Sequence, residues 1–280
     1  MNETSSELLY TRVQTALRTL QLTQMTAELD ALTAQAAVHN WSALEYLDHL
    51  TQAEVNARFE HDVQRKLRQA HLPFFKTLDQ FDFAFQPSVN ERQLRDLASL
   101  RFVANAENVL FLGPPGVGKT HLADSLGMAA LTRGLSVYFS TVADLLEHVA
   151  RDARADRHPQ RMQALCRPQL LILDEMGYFP LDKRAAQFLF QLVSRRYQKG
   201  SILLTSNKSY ADWGDIFSDS VLASALLDRL LHQAVTLNIR GSSYRLKDKL
   251  RSTPVPEPVL QQKEASPTLE HLSWGFLRRS

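Results

Sequence analysis

The chain has 280 residues, of which 44% are hydrophobic, and this length and composition suit one large core with a small accessory domain. No apolar run approaches the roughly 18 residues of a membrane span, and the first residues lack an apolar signal core, so we expect no membrane partner. The net charge of +2 neither requires nor excludes a nucleic-acid partner, and the single cysteine, Cys166, cannot form an internal disulfide, which favours a cytoplasmic location.

Residues 1–75 are predicted to form a small all-α domain. Its first apolar residues recur at nearly helical spacing and are Leu8, Val13, Leu17, Leu20, Met25, Leu29 and Leu32. A further helix is predicted from the capping-box pattern over 42–45, and Pro73 ends it. Its apolar stripe consists of Leu44, Leu47 and Leu50. The basic residues of this helix that are candidates for DNA contact are Arg58, Arg65, Lys66 and Arg68.

Strands alternate with helices over residues 76–250, which is typical of a parallel α/β sheet flanked by helices. A short apolar strand, 108–112, leads into a match to the P-loop pattern, and a helix follows over 121–130. The matching residues are Gly113, Pro114, Pro115, Gly116, Val117, Gly118, Lys119 and Thr120. Together with the adjoining His121, they are the predicted nucleotide-binding residues.

The P-loop pattern needs these residue types for physical reasons. Its glycines let the backbone curl so that successive N–H groups point at phosphate oxygens. The Lys119 ammonium adds positive charge near the β- and γ-phosphates, and the Thr120 hydroxyl is a predicted Mg²⁺ ligand. An ordinary glycine–proline turn is the alternative, but the strand before the pattern and the helix after it favour nucleotide binding.

A second group of basic residues lies between a predicted helix at 144–149 and the next apolar strand. Its members are Arg151, Arg154, Arg157 and Arg161. Basic side chains that face phosphates give salt-dependent binding without sequence preference. For both basic groups, a solvated helix face is the alternative, because acids such as Asp152 and Asp156 are interspersed.

The stretch 170–175 predicts a buried strand that ends in two acids at the edge of a parallel sheet where ligands bind. Asp174 is expected to hold Mg²⁺, and Glu175 is expected to polarise the attacking water. These two carboxylates therefore complete a predicted site for triphosphate hydrolysis.

Another apolar strand, 202–207, ends in Asn207, a candidate for hydrogen-bonding the γ-phosphate or the attacking water. A simple polar strand end is the alternative for this residue. The guanine-reading sequence N-K-x-D is broken here, because Tyr210 stands where the aspartate is needed. The sequence therefore favours ATP over GTP.

Two arginines follow this strand, Arg229 in a predicted helix at 226–232 and Arg245 after the alternating strand 234–239. Their positions suggest that one acts on the bound nucleotide in cis and the other reaches the nucleotide of a neighbouring subunit in trans. A structural salt bridge is the alternative for either arginine. Residues 251–280 are rich in proline and aperiodic, so we expect a disordered tail.

Together these motifs resemble the IstB family, which comprises AAA+ ATPase helper proteins encoded beside the transposase of two-gene bacterial insertion sequences. The resemblance covers roughly residues 8–250, and its individual motifs are shared with the bacterial replicative helicase loaders. The residues that carry it are Gly113 to Thr120, Leu170 to Glu175, Leu204 to Asn207, Asp228-Arg229 and Ser243-Tyr244-Arg245, with Phe81-Asp82-Phe83 and Gly177 to Leu181 in support.

The resemblance implies an AAA+ domain at residues 76–250, ATP as cofactor, and ATP-driven homo-oligomers on double-stranded DNA. It also implies a transposase partner encoded by the same element, and a DNA-facing helical insertion at the arginines 151–161. By position, Lys119 and Thr120 match Walker A, Asp174 and Glu175 match Walker B, Asn207 matches sensor 1, and Arg245 matches sensor 2. Arg229 is the candidate trans finger, but helicase loaders carry a further arginine where this chain has Ala225.

Two other functions remain open at this point. A helicase loader would bind single strands and a hexameric helicase. A P-loop small-molecule kinase would need an acceptor pocket and would turn over ATP without DNA, but the acids at 174–175 and the two late arginines disfavour it. A scaffold that binds ATP without hydrolysing it is disfavoured by the presence of Glu175.

Overall fold

The structure is a computed structural model, and it describes residues 3–154, 157–217 and 219–247. The predicted disorder of residues 251–280 therefore concerns a segment outside the described residues. The N-terminal part consists of helices α1 (Glu3–Thr19), α2 (Thr23–His39) and α3 (Ala43–Ala70). The predicted capping box opens α3: the Ser42 hydroxyl accepts from the Glu45 N–H at 3.2 Å, and the Glu45 carboxylate accepts from the Ser42 N–H at 2.7 Å.

A carboxylate from α3 caps the beginning of α2. The residue before α2, Leu22, offers no side-chain acceptor, so the first N–H groups of the helix need another partner. Glu54, which is 5% exposed, accepts from the N–H groups of Gln24 and Met25 at 2.8 and 3.1 Å. Arg58 pairs with Glu54 at 2.7 Å and donates to the Gln21 carbonyl at 2.9 Å. These contacts tie the turn between α1 and α2 to α3.

The predicted apolar stripe of this helical part is only partly buried. Its buried members are Leu17, Met25, Leu29, Leu32 and Leu50. Its other members, Leu8, Val13, Leu20, Leu44 and Leu47, are exposed. Three helices share a single small contact region, so each can bury only one narrow row of side chains. Helical spacing therefore overestimates the core here.

The remaining chain forms an α/β domain, as its alternating pattern predicts. Its helices are α4 (Glu91–Ala98), α5 (Arg101–Ala104), α6 (Lys119–Thr132), α7 (Val142–Arg154), α8 (His158–Cys166), α9 (Lys183–Arg196), α10 (Trp213–Ile216) and α11 (Ser220–Leu231). Its strands are β1 (Asn108–Leu112), β2 (Val137–Thr141), β3 (Leu170–Met176), β4 (Ser201–Ser206) and β5 (Ala234–Asn238). Short 3₁₀ turns lie at Leu78–Gln80, Tyr210–Asp212 and Tyr244–Leu246. None of the helices in the described part of the chain is long and apolar enough to cross a membrane.

Within the described residues, the strands form a parallel sheet in the order β2-β3-β4-β1-β5. The two faces of the sheet are covered by two apolar clusters. Side chains alternate between them, so Leu110 of β1 belongs to one cluster while Val109 and Phe111 belong to the other. Because β1 lies between β4 and β5, the loop that follows β1 opens at the edge where β3 and β4 also end.

The last turns of α3 pack against β2 and α6, and Ala70 is fully buried in the core cluster of the α/β domain. Lys66 donates to the carbonyl of Gly134, at the turn between α6 and β2, at 2.5 Å. The helical part is thus joined to the α/β domain through one long helix.

A buried arginine closes the end of the sheet opposite the ligand edge. Arg196 is 2% exposed and donates to the carbonyls of Leu165, Pro168, Gln169 and Ser201 at 2.8–3.2 Å. Burial lowers the pKa of its guanidinium to about 10. One side chain therefore satisfies carbonyls from the end of α8 and from the starts of β3 and β4.

We expect Arg196→Met to lower the free energy of unfolding by about 3 kcal/mol or more, because several buried carbonyls lose their only charged donor. Urea unfolding followed by circular dichroism measures the change. Arg195→Met is the matched control, because Arg195 is the exposed neighbour on the same helix. A loss below about 1 kcal/mol would show that Arg196 does not organise this end of the sheet.

Candidate functional site

The loop between β1 and α6 has the backbone shape that a phosphate-binding loop needs. Gly116 and Gly118 have φ values of 83° and 96°, which side chains rarely adopt. A Cβ on Gly116 would lie 2.1 Å from the Ser243 hydroxyl oxygen, and one on Gly118 would lie 2.7 Å from the Phe81 ring. The loop ends at the N-terminus of α6, where free N–H groups and the helix dipole favour an anion.

The lysine of this loop is buried and bonded to the loop itself. The Lys119 ammonium, 7% exposed, donates to the carbonyls of Gly113 and Pro114 at 2.7 and 2.8 Å. Burial lowers the pKa of Lys119, and Arg245 adds to the lowering, while Asp174 and Glu175 oppose it. Lys119 therefore lies between two acids and a second cation.

Two threonines hold the carboxylate at the end of β3. The Thr120 hydroxyl donates to Asp174 Oδ2 at 2.9 Å, and the Thr205 hydroxyl donates to Asp174 Oδ1 at 2.5 Å. Thr205 also accepts from the Glu175 N–H at 3.0 Å. Asp174 and Thr205 are 3% and 1% exposed, so the cluster is fixed by short bonds inside the protein.

Sequence reasoning missed Thr205. A signal was present, because β4 pairs with β3 and the register Leu173↔Leu204 brings the next residues of the two strands together. Using it required the order of the strands, which the local sequence does not contain. The predicted Asn207 lies two positions beyond Thr205.

Glu175 has an uncommon backbone conformation. Its φ is 64°, in the left-handed region, and the pairing of β3 with β4 shifts register between Leu173 and Met176. This geometry turns the side chain out of the strand, so that it is exposed and lines the cavity in front of the loop. A strained non-glycine residue at a ligand edge is typical of a functional position.

These groups face one cavity of about 340 Å³. Lys119, Thr120, Glu175 and Thr205 line it on the sheet side. On another side are aromatic and polar residues that precede the sheet, among them Phe81. The size fits a small polar ligand with an anionic group at the helix end.

His121 is also among the residues that line the cavity. Its Nε2 lies 3.2 Å from the Thr77 carbonyl, and the Phe81 ring meets it edge-on at 5.4 Å. Burial lowers the pKa of His121, with an additional lowering from Lys76 and an opposing effect of the bond to Thr77. His121 thus links α6 to the segment that precedes the sheet.

The remaining candidates are placed differently. Arg245 lines the cavity, and the neighbouring Tyr244 N–H donates to the Gly116 carbonyl at 2.9 Å. Asn207 is outside the cavity lining, beside Gly177, and its Oδ1 is buried without a hydrogen-bond partner in the described part of the chain. Arg229 lies on α11, where its guanidinium donates to Ser194 at 2.8 Å and stacks over the Phe190 ring at 4.5 Å.

The arginines between β2 and β3 lie on α7 and α8. Arg151 is exposed, 3.7 Å from Glu147, and Arg157 is exposed at the start of α8. Arg161 pairs with Asp152 at 2.7 Å and is mostly buried. The backbone of Arg154 lies in α7.

The basic residues of α3 are largely engaged within the protein. Arg58 pairs with Glu54, while Arg65 and Lys66 both pair with Asp62. Arg68 is exposed. Each group thus has one exposed arginine for which no ion pair is found among the described residues, Arg157 in the group on α7 and α8 and Arg68 in the group on α3.

A further carboxylate, which sequence reasoning did not single out, is buried beneath the loop. Asp124 on α6 is fully buried, and neither of its oxygens has a hydrogen-bond partner of normal geometry among the described residues. Burial and the nearby Asp174 raise the pKa of Asp124 to about 7, although the backbone of Phe74 opposes part of this shift. The charged form of Asp124 therefore destabilises the folded chain.

Comparison with known proteins identifies close sequence relatives. Residues 15–252 match the family of IstB-like ATP binding proteins. The chain is 44% identical over 238 residues to an ATP-binding protein of insertion sequence IS5376 from Geobacillus stearothermophilus, covering 85% of this chain and 95% of that protein. It is 45% identical over 240 residues to an ATP-binding protein of insertion sequence IS21 from Pseudomonas aeruginosa, covering 86% and 91%.

Solved structures share the fold at lower identity. AMPPCP-bound DnaA from Aquifex aeolicus superposes with a TM-score of 0.51 at 21% identity, over 65% of this chain and 56% of that chain. DnaI superposes with a TM-score of 0.51 at 18% identity, over 59% of this chain and 90% of that chain. The α/β domain thus has the AAA+ P-loop fold, as predicted.

We expect Asp124→Asn to stabilise the nucleotide-free and Mg²⁺-free protein at pH 8 by roughly 1–3 kcal/mol relative to the wild type. Between about pH 4 and 7, Asp124 is protonated in the folded chain but ionised in the unfolded chain. Wild-type stability therefore falls as pH rises through 7. Urea unfolding at pH 5 and pH 8 measures the change. A gain that does not grow with pH, or that equals the gain from Asp96→Asn at an exposed site, would contradict this assignment.

Proposed function

Because this chain belongs to the family of IstB-like ATP-binding proteins, we propose that it is an AAA+ ATPase that assists the transposition of a bacterial insertion sequence. The observation that carries the proposal is the gathering of Lys119, the Thr120–Asp174 pair and Glu175 at one cavity. The names of its relatives, which are ATP-binding proteins of insertion sequences, support the biological setting.

The loop and the start of α6 would bind the triphosphate of ATP. The N–H groups of Gly116, Gly118 and Lys119 would contact phosphate oxygens, and the Lys119 ammonium would exchange its loop carbonyls for the β- and γ-phosphates. That exchange places the positive charge where negative charge accumulates during phosphoryl transfer.

The residues around Asp174 fit a Mg²⁺ ion. A hydroxyl and a carboxylate lie 2.9 Å apart at the ligand edge of the sheet, and such oxygen ligands are those that Mg²⁺ prefers. Thr120 and Asp174 would hold the ion, which neutralises charge on the phosphates when bound. Thr205 would keep the Asp174 carboxylate oriented.

Glu175 is the proposed residue for activating water. Its carboxylate is exposed to the cavity, and its backbone is fixed by the bond from its N–H to Thr205. It would accept a proton from the water that attacks the γ-phosphate. Arg245 would stabilise the phosphate charge from the opposite side, and Asn207 would contribute only after a shift of the loop that carries it.

Arg229 is proposed to act on the nucleotide of a neighbouring subunit. It is outside the cavity lining of its own chain, and its guanidinium is only half buried on α11. A homo-oligomer in which α11 approaches the next cavity would bring the charge to the γ-phosphate. Such arginines contribute strongly to phosphoryl transfer in related ATPases.

We propose double-stranded DNA and a transposase of the same element as partners in the cytoplasm. The exposed arginines of α7 and α8 support contact with the phosphate backbone. A helicase loader is the second candidate, because the P-loop and the acids at 174–175 resemble the motifs of that family as well. Binding to single strands and to a helicase would select that alternative.

The hydrolysis proposal is tested by Glu175→Gln. We expect tight binding of ATP with Mg²⁺ to persist and turnover to fall by about 10²-fold or more, because Asp174 still serves the metal while water activation is lost. Lys119→Ala is the contrasting variant, in which ATP binding itself should be lost. Calorimetry measures binding, and phosphate release measures turnover. Wild-type turnover in Glu175→Gln would refute the role of Glu175.

The DNA proposal is tested by replacing Arg151, Arg154 and Arg157 together with alanine. We expect weaker ATP-dependent binding to every DNA sequence and a salt slope flatter by roughly one unit per lost phosphate contact. Fluorescence anisotropy at several salt concentrations measures both, and nucleotide affinity should stay unchanged. Arg195→Ala, at an exposed residue of α9 outside both basic groups, is the control. Unchanged DNA affinity and slope in the triple variant would show that these arginines form only a solvated face.

A further inference from the structure

Two segments outside the sheet meet in front of the P-loop. We call residues 74–90, which lead from α3 to α4, the strap, and residues 239–247, which follow β5, the arginine segment. Both contribute residues to the cavity. The Ser88 hydroxyl donates to the Arg240 carbonyl at 2.8 Å and accepts from the Arg240 N–H at 3.0 Å. The two segments are therefore joined away from the cavity as well as at it.

A buried amide continues this junction. Gln86 is 2% exposed, and its Nε2 donates to the Ser242 carbonyl at 3.3 Å. A Cβ on Gly241 would lie 2.9 Å from Gln86 Oε1, so the segments are in close contact. These contacts fix the first half of the arginine segment, but they lie before Arg245.

The second half is fixed by an ion pair between two aromatic rings. The Lys247 ammonium donates to Asp82 Oδ2 at 2.8 Å and lies 5.1 Å from the Phe85 ring and 4.9 Å from the Tyr244 ring. The two rings meet edge-on at 5.1 Å. The bond from Lys247, with the Phe85 N–H as a second donor, holds the pKa of Asp82 below its usual range. Asp82 therefore remains charged and bonded on the strap.

Arg245 lies between fixed points on both sides. Before it, the Tyr244 N–H is bonded to the P-loop at Gly116, and after it, Lys247 is bonded to Asp82. Arg245 is exposed, and it lines the same cavity as Lys119, so the site contains two cationic side chains. Without an anchor at Lys247, repulsion would favour conformations in which Arg245 turns away.

We propose that Asp82 and Lys247 are positioning residues that hold Arg245 toward the γ-phosphate, so that the strap sets how strongly the site distinguishes ATP from ADP. This rests on the role of Arg245 proposed above. Asp82 also lines the cavity, and its pairing with Lys247 keeps its negative charge from opposing the phosphates.

The experiment compares the affinities of the full chain for AMPPCP and ADP, both with Mg²⁺, by calorimetry. The preference for AMPPCP is the ratio of its affinity to that of ADP. We expect Asp82→Asn and Lys247→Met each to reduce this preference by roughly tenfold, because hydrogen bonds to charged groups carry energies of this size. We expect the same reduction for Arg245→Ala. Lys247→Arg should retain the preference, since it keeps the charge and the ring contacts. Asp79→Asn is the matched control, because Asp79 lies on the strap with an exposed side chain that pairs with Arg95.

The double variant Asp82→Asn with Arg245→Ala tests whether Asp82 acts by positioning Arg245 or stabilises the site independently of it. If Asp82 acts through Arg245, the double variant should lose no more preference than Arg245→Ala alone. Additive losses, or an unchanged preference in Asp82→Asn, would overturn the positioning role while leaving that of Arg245 intact. An unchanged preference in Arg245→Ala would refute both roles.

A second measurement does not depend on affinity. In the wild type, we expect AMPPCP to slow amide hydrogen exchange in the strap more than ADP does, because Arg245 and Lys247 transmit contact with the γ-phosphate. In Lys247→Met this difference should disappear, and in Lys247→Arg it should remain. Equal protection by both nucleotides in the wild type would contradict the proposal.

Discussion

A carboxylate fixed between two hydroxyl groups determines most of the geometry of the site. Asp174 accepts from Thr120 on the P-loop helix and from Thr205 on the neighbouring strand, so three elements meet at one buried group. A buried carboxylate without hydrogen-bond donors destabilises the folded state. Movement of either threonine away from Asp174 would therefore be unfavourable. The same bonds fix the Glu175 N–H and place its side chain toward the cavity.

Charge around this carboxylate is arranged in opposed pairs. Lys119 lies near Asp174 and Glu175, and Lys247 is bonded to Asp82, which lines the cavity, so both of these cations are partly compensated. Asp124 is the exception, because burial and Asp174 oppose its ionisation from below the loop.

The local sequence predicted the elements whose function depends on contiguous residues. The P-loop, the acids near the end of β3 and the capping box at Ser42 each need neighbours in sequence, and the structure has all three. Groups that depend on strand order or on distant segments were missed. Thr205 needs the pairing of β4 with β3, and the contact of Asp82 with Lys247 joins residues 165 positions apart. The exposure of part of the N-terminal stripe was also beyond prediction, since spacing predicts a helix face but not whether a partner covers it.

The length of α3 has a mechanical consequence. Its 28 residues extend for about 42 Å at 1.5 Å per residue, from the turn near α2 to the buried contact of Ala70 with the sheet domain. Glu54 and Arg58 hold the other helices to its middle, so these helices must follow its direction. A tilt of about five degrees at the buried end would displace the far end by roughly 4 Å over that length. A small rearrangement at the buried end of α3, close to the strap, would therefore move the far helices by about the length of a side chain.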